Sequence, residues 1–162
     1  MGFEVRAPEA TEVEPLAKLW HDGWHDAHAR IVPAELTHFR TLANFRTRVG
    51  AALAAVRVTG PIGAPIGFFM LQGSELYQFY VAAQARGSGV AAALMADAEQ
   101  CLAASGVDTA WLACAIGNDR AARFYEKCGW HRAGTIVSRL DTPNGILPLE
   151  VWRYEKVLRP QV

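Results

Sequence analysis

Cysteine is scarce in this chain of 162 residues. The three cysteines, Cys101, Cys114 and Cys128, are odd in number and form no C-x-x-C pair. A small disulfide-stabilised scaffold normally has an even number of cysteines at close spacing. The cysteines therefore indicate buried, reduced thiols and predict a cytoplasmic protein.

The chain also lacks an excess of either charge and a long apolar run. Sixteen basic residues balance sixteen acidic ones, whereas proteins that bind nucleic acids or membrane surfaces usually carry a basic excess. The longest uncharged stretch, residues 58–74, contains two prolines and four glycines, which argues against a membrane span. No apolar signal region follows Met1. We therefore expect neither nucleic acid nor membrane among the partners.

The composition is that of an ordinary globular domain, with 51% apolar and 20% charged residues. We expect one domain over residues 1–162, because the length allows a sizeable core and no linker or repeat interrupts it. Strands are predicted at 3–6, 52–59, 66–72, 76–81, 109–115, 130–140 and 147–157, and helices from Glu9 to no further than Pro33 and at 42–50, 89–104 and 118–127. This order predicts a mixed α/β sheet.

The most informative segment is the turn that follows the strand ending at Val81. Arg86-Gly87-Ser88-Gly89 precedes an alanine-rich helix, so free amides and the positive end of the helix dipole lie together. Such a turn is typically an anion cradle, most often for phosphate. The pattern also matches the dinucleotide fingerprint G-x-G-x-x-A, but five residues separate Val81 from Gly87 and no acidic residue closes the next strand. Taken alone, the glycines are equally consistent with a tight turn that binds no ligand.

A second motif makes the first more specific. The segment from Asn118 to Trp130 reads N-x-x-A-x-x-F-Y-E-K-x-G-W. Together with Arg86-x-x-Gly89-x-Ala91, it resembles the pyrophosphate loop and the N-x-x-A-x-x-F-Y-x-x-x-G-F segment of the GNAT superfamily of acetyl-CoA-dependent N-acetyltransferases. The resemblance covers nearly the whole chain. It departs from the family pattern where Trp130 replaces phenylalanine and where an alanine stands at 83 instead of the common proline.

The resemblance implies a mixed, mostly antiparallel seven-stranded sheet flanked by about four helices. A splayed parallel pair of strands, ending near Val81 and Ala115, would form the cleft for acetyl-CoA, and no metal is implied. The implied cofactor-binding residues are Phe79, Tyr80, Val81, Arg86, Gly87, Ser88, Gly89, Val90, Ala91, Asn118, Ala121 and Tyr125.

Within that set, the family implies distinct roles. Amides from Arg86 through Ala91 would hold the pyrophosphate, and glycine at 87 and 89 would let the backbone approach it closely. The main chain of residues 79–81 would pair with the pantetheine arm as an added strand, with the Val81 amide facing the thioester carbonyl. Asn118 would bond the same arm while capping its helix.

Two residues are candidates for catalysis. In the family, the position of Tyr125 donates a proton or hydrogen bond to the departing thiolate; a core aromatic beside Phe124 is the alternative. Attack needs a neutral amine, whose unperturbed pKa near 10.4 calls for a base. Glu75, which begins the strand that would touch the cofactor, is the first candidate base, and a solvated strand-end charge is the alternative.

Tyr77 and Tyr80 are weaker candidates for the acceptor site. His21, His25 and His28 lie at helical spacing and are interpreted as a helix face, as acceptor-binding groups or as a metal site. We expect no metal.

The resemblance implies transfer of acetyl from acetyl-CoA to a primary amine of a small molecule or peptide by direct attack. A noncatalytic acyl-CoA-binding or sensory module is the alternative. The sequence does not identify the amine acceptor, and a homodimer is compatible with it.

Overall fold

The computed structural model describes residues 3–159 as a seven-stranded sheet with helices on both faces. The spatial order of the strands is β1-β2-β3-β4-β5-β7-β6. The strands are β1 (Val5–Arg6), β2 (Val56–Thr59), β3 (Gly67–Gln72), β4 (Glu75–Val81), β5 (Thr109–Ala115), β6 (His131–Thr142) and β7 (Gly145–Val157). The helices are α1 (Val13–His28), α2 (Ala34–Phe39), α3 (Leu42–Ala52), α4 (Val90–Ala104) and α5 (Asp119–Lys127). None of these helices combines the length and hydropathy needed to cross a membrane.

The predicted mixed, mostly antiparallel seven-stranded sheet is confirmed. Of the pairings in the described chain, only β4 with β5 is parallel. Two local predictions were wrong. The strand predicted at 52–59 begins at Val56, because α3 and a 3-10 turn occupy residues 42–55. The helix α2 was missed, because its six residues make fewer than two turns and show no helical period.

A separate apolar core lies on each face of the sheet. On one face, α4 buries Val90, Leu94 and Leu102 against β3 and β5. On the other face, α1 carries a stripe of Leu16, Ala17, Trp20 and Trp24, whose helical spacing places them together against α3 and the sheet. These two cores hold the sheet between the helical layers.

The parallel pair β4–β5 is joined at only one position, Glu75 with Trp111. In β4, the pairing with β3 shifts at Tyr77, because Met70 pairs with Gln78 whereas Leu71 pairs with Leu76. The extra residue is a β-bulge, which bends and twists the strand locally. Beyond the bulge, β4 and β5 diverge, so the carboxyl-terminal half of β4 has a free edge.

A buried carboxylate links the amino-terminal segment to the β2–β3 turn. Glu12 has no exposed surface and accepts two hydrogen bonds from Arg6, at 2.8 and 3.0 Å. It also accepts the amides of Glu9 at 2.9 Å and Gly63 at 3.1 Å. These donors, led by Arg6, lower the pKa of Glu12 to about 2.

We expect Glu12→Ala to lower the free energy of unfolding by roughly 3–5 kcal/mol, because it leaves the Arg6 charge without a carboxylate and two amides without an acceptor. The contribution of Glu12 is present above about pH 4.5 and is lost as the pH falls towards 2. Urea denaturation measures both effects. The control is Glu14→Ala, which removes an exposed pair with Arg46 and should lower the free energy of unfolding far less. Equal losses in the two variants would contradict the assignment.

Candidate active site

The glycine turn presents a row of free backbone amides. Gly87 and Gly89 have φ of 80° and 93°, in the left-handed region that favours glycine. The amides of Gly87, Gly89, Val90, Ala91 and Ala92 donate to no acceptor within the described chain, and α4 has no side-chain cap. A Cβ at Gly87 would meet no atom within 4 Å, so the space before the turn is open. This arrangement fits a phosphate-bearing ligand.

The amides of Arg86 and Ser88 are used differently from those of their neighbours. They bond the carbonyls of Ala83 and Ala85, at 3.3 Å in each case. The Ser88 hydroxyl also donates to the Ala85 carbonyl. These internal bonds hold the turn in shape and leave the neighbouring amides free.

A cleft of about 450 Å³ extends from the turn to helix α5. Most of the predicted cofactor residues line it: Phe79, Tyr80, Val81, Arg86, Gly87, Gly89, Ala91, Asn118, Ala121 and Tyr125. Ser88 and Val90 do not. Ser88 is bonded within the turn, and the Val90 side chain is buried in the core beneath α4.

The free edge of β4 forms one wall of this cleft. The Ala82 amide donates to the Ile66 carbonyl at 2.8 Å, which directs it toward β3. Amide directions alternate along an antiparallel strand. The amides of Phe79 and Val81 therefore point away from β3, toward the gap left by β5.

Asp26 of α1 links the two helices that begin at the cleft. Its carboxylate pairs with Arg86 at 3.1 Å and with Arg120 of α5 at 2.9 Å. Arg120, followed by Arg86, lowers the pKa of Asp26 below its ordinary value. Both arginines line the cleft, as does Lys127, so its walls carry positive charge.

A second cavity, of about 180 Å³, meets the cleft beside α5. Phe79, Tyr80, Asn118, Ala121 and Tyr125 line both spaces. Asn118 caps α5 by accepting the Ala121 amide at 3.4 Å. Among residues 3–159, no titratable side chain hydrogen-bonds the Tyr125 hydroxyl, and burial raises its pKa. Tyr125 therefore stands with a free hydroxyl where the two spaces join.

Glu75 lies in the second cavity and not in the cleft. Burial raises its pKa to about 7, and the charge of Arg153 opposes this shift. A carboxyl group with this pKa is partly ionised at neutral pH and can accept a proton there. The predicted base thus faces the cavity on the other side of Tyr125 from the glycine turn.

The three histidines of α1 make different contacts. His21 bonds Asp22 at 3.0 Å, and His25 Nε2 bonds the Arg40 carbonyl at 2.6 Å. His28 lines the second cavity; its Nδ1 donates to the Trp24 carbonyl at 3.0 Å, and burial lowers its pKa. In residues 3–159 no three histidine, cysteine or acidic side chains are grouped to hold a metal ion.

The sequence is also matched by the model of the acetyltransferase (GNAT) family over residues 11–130, well over half of the chain. The chain belongs to the GNAT family of acetyltransferases. The predicted family membership is thereby confirmed. No curated protein sequence matches this GNAT domain significantly.

Solved structures share the GNAT fold over almost the whole chain. A GCN5-related N-acetyltransferase from Rhodopseudomonas palustris is 18% identical, with a TM-score of 0.75 and coverage of 97% of this chain and 96% of that chain. The PaiA N-acetyltransferase from Thermoplasma acidophilum, solved with coenzyme A, is 17% identical, with a TM-score of 0.71 and coverage of 97% and 99%. A ribosomal-protein-alanine N-acetyltransferase from Brucella melitensis is 17% identical, with a TM-score of 0.70 and coverage of 95% and 99%. At these identities the likeness establishes the fold.

Sequence reasoning missed several groups at the site. Arg40 and Arg48 line the second cavity, and Asp26 with Arg120 closes one side of the cleft. Arg120 could have been suspected, because a basic residue two positions after Asn118 lies at the start of α5. The others come from helices far from the motifs, and no local pattern marks them.

The pKa of Glu75 predicts a pH dependence of stability. An unfolded glutamate loses its proton near pH 4.3, whereas folded Glu75 keeps it up to about pH 7. Its contribution to the free energy of unfolding therefore falls as the pH rises from about 4.5 to 7. The difference between wild type and Glu75→Gln, measured by urea denaturation across this range, isolates the effect, because His28 contributes equally to both proteins. A constant difference across the range would refute the raised pKa.

Proposed function

We propose that this GNAT domain transfers the acetyl group of acetyl-CoA to the primary amine of a small molecule or peptide by direct attack. The proposal rests on one observation: the free amides of the glycine turn and the free Tyr125 hydroxyl lie on a single cleft. That cleft joins a second cavity that contains a carboxyl group titrating near neutral pH. A donor and an acceptor can thus approach Tyr125 from different sides.

The chain's own groups would hold acetyl-CoA by its phosphates and its amides. The free amides of Gly87, Gly89, Val90 and Ala91 would bind the pyrophosphate at the positive end of α4. Arg86 and Arg120 would add charge. Bound in this way, acetyl-CoA supplies the activated acetyl thioester.

The free edge of β4 would complete the donor site. The amides of Phe79 and Val81 point into the gap and are placed to donate to an extended, amide-bearing chain. One of them would also donate to the carbonyl oxygen that gains negative charge during attack, as an oxyanion donor does. Asn118 can contribute its side-chain amide nitrogen, because its oxygen is used by the helix cap.

Tyr125 and Glu75 would divide the proton chemistry. Tyr125 is placed to donate a hydrogen bond to the leaving sulfur, and because its pKa is raised it keeps its proton at neutral pH. Glu75, partly ionised at neutral pH, is placed on the acceptor side to take the proton of the attacking amine, directly or through water.

The cavity cysteine supports direct attack over a covalent acyl-enzyme. Cys114 lines the second cavity beside Tyr125. Burial raises the pKa of its thiol to about 12, so it is not a thiolate at neutral pH. Because the thiolate is the nucleophilic form, Cys114 is a poor candidate for an acetyl carrier.

We expect Gly89→Val to abolish acetyl-CoA binding, because the side chain would strain a φ of 93° and stand before the free amides. At a hundredfold excess over its dissociation constant, acetyl-CoA should stabilise the wild type by about 2.7 kcal/mol. In a domain of this size, that raises Tm by on the order of 5–10 °C. Gly106→Val is the control, because it places the same side chain at φ of 90° at the far end of α4. An intact shift in Gly89→Val would contradict the cradle assignment.

Turnover tests the reaction itself. Thiol release from acetyl-CoA, measured over a panel of primary amines, should reveal at least one consumed acceptor.

Tyr125→Phe should then lower kcat about 10- to 100-fold without changing acetyl-CoA affinity, because it removes only the hydrogen bond to the leaving sulfur. Glu75→Gln should abolish the rise of kcat/KM through about pH 7. Acetyl-CoA binding without turnover of any amine would instead support the noncatalytic module.

A further inference from the structure

Two arginines in the second cavity lack the partners that other arginines have. Within residues 3–159, neither Arg40 nor Arg48 has a carboxylate within 4.0 Å. Each other arginine of this range has such a carboxylate or is exposed to solvent. Arg40 and Arg48 both line the cavity that contains Glu75. Their charges are therefore left uncompensated by the protein.

Arg40 is held in place although its guanidinium is almost without partners. The residue is only 6% exposed, and its carbonyl accepts the bond from His25. Within the described chain, its guanidinium makes one long hydrogen bond, 3.4 Å from Nη1 to Asn44 Oδ1. The remaining donors of Arg40 have no acceptor among residues 3–159 and are available to a ligand.

Arg48 is fixed still more firmly. Its guanidinium carbon lies 4.2 Å from the centroid of the Trp20 ring, and its Nη2 donates to the Tyr77 hydroxyl at 3.2 Å. Its Nη1 is buried and has no acceptor among residues 3–159. An unsatisfied buried donor destabilises the protein, and a charged one does so more strongly. An acceptor oxygen from a ligand would remove that destabilisation.

The electrostatics of the cavity agree with this geometry. Burial, followed by the nearby charge of Arg48, lowers the pKa of Arg40. The opposing charge is weak, because Asp141 is exposed and forms no ion pair with either arginine among the described residues. An oxyanion between the two guanidiniums would relieve their repulsion and accept several charge-assisted bonds.

We propose that Arg40 and Arg48 bind the carboxylate of the amine acceptor, so that the acceptor is a small amino acid. This inference rests on the acetyl-transfer function proposed above. The cavity volume of about 180 Å³ is below the roughly 300–1,000 Å³ of typical ligand pockets, which favours a small acceptor. Polycationic acceptors such as aminoglycosides and polyamines are disfavoured, because they would meet two uncompensated positive charges.

The test compares each amino acid with its amide, which keeps the amine and the size but loses the negative charge. The amine of the amide is more readily deprotonated, so a preference for the acid cannot arise from amine reactivity. We expect wild-type kcat/KM for the best acid to exceed that of its amide about 10- to 100-fold, the size of a charge-assisted hydrogen bond. Aminophosphonates form a third arm that distinguishes a carboxylate from a phosphonate ligand.

Arg40→Gln and Arg48→Gln should each reduce the acid-to-amide ratio of kcat/KM towards one. If the loss of stacking on Trp20 unfolds Arg48→Gln, Arg40→Gln still tests the subsite. Arg46→Gln on α3 is the matched control, because Arg46 pairs with Glu14 outside the cavity and should keep the wild-type ratio. The tightest binding to aminophosphonates would overturn the carboxylate assignment. If the amides are consumed as well as the acids, or if the acid-to-amide ratio of kcat/KM is unchanged in both variants, the carboxylate subsite is overturned. Consumption of neither class, while another primary amine is acetylated, would also overturn the subsite, whereas acetyl-CoA binding without turnover of any amine would refute the proposed function.

Discussion

The divergence of β4 and β5 after a single backbone bridge is the constraint on which the rest of the site depends. Two parallel strands that remained paired would use the amides of Phe79 and Val81 in the sheet. The bulge at Tyr77 and the divergence leave those amides unpaired. Because parallel strands end at the same edge of a sheet, the helices that follow them, α4 and α5, also begin together. The cleft, the cradle of amides and Tyr125 are consequences of that one geometry.

The two sides of the junction at Tyr125 differ in how their charges are compensated. In the cleft, Arg86 and Arg120 share the exposed carboxylate of Asp26. Such exposed pairs are worth at most about 1 kcal/mol, so a phosphate could replace the carboxylate at little cost. In the second cavity, Arg40 is buried and Arg48 is half-buried, and neither shares a carboxylate among the described residues. Among the described residues, the two arginines of the donor side therefore share one carboxylate, whereas the two arginines of the acceptor side have none.

Most of the fold, and the positions of the motif residues, could be predicted from the sequence because they depend on local patterns. The glycine turn after Val81 and the helix that begins after Asn118 carry their own signals in strand ends, φ preferences and caps. Helix α2 has too few residues to show a period. The acceptor cavity could not be predicted, because Arg40 and Arg48 meet Glu75 only through packing between α1–α3 and β4. Nothing in the residues around either arginine distinguishes it from an exposed one.

Burial shifts the pKa values of three groups of the second cavity in the direction that favours their neutral forms. It raises the pKa of Glu75 and lowers the pKa values of His28 and Arg40. Such shifts can change the charge of a glutamate or a histidine at neutral pH, whereas a guanidinium starts so far above that range that it stays charged. The same low dielectric thus produces a proton acceptor at Glu75 and a costly positive charge at the arginines. An acceptor that brings an amine to the first and a carboxylate to the second would satisfy both demands at once, which no simple amine can do.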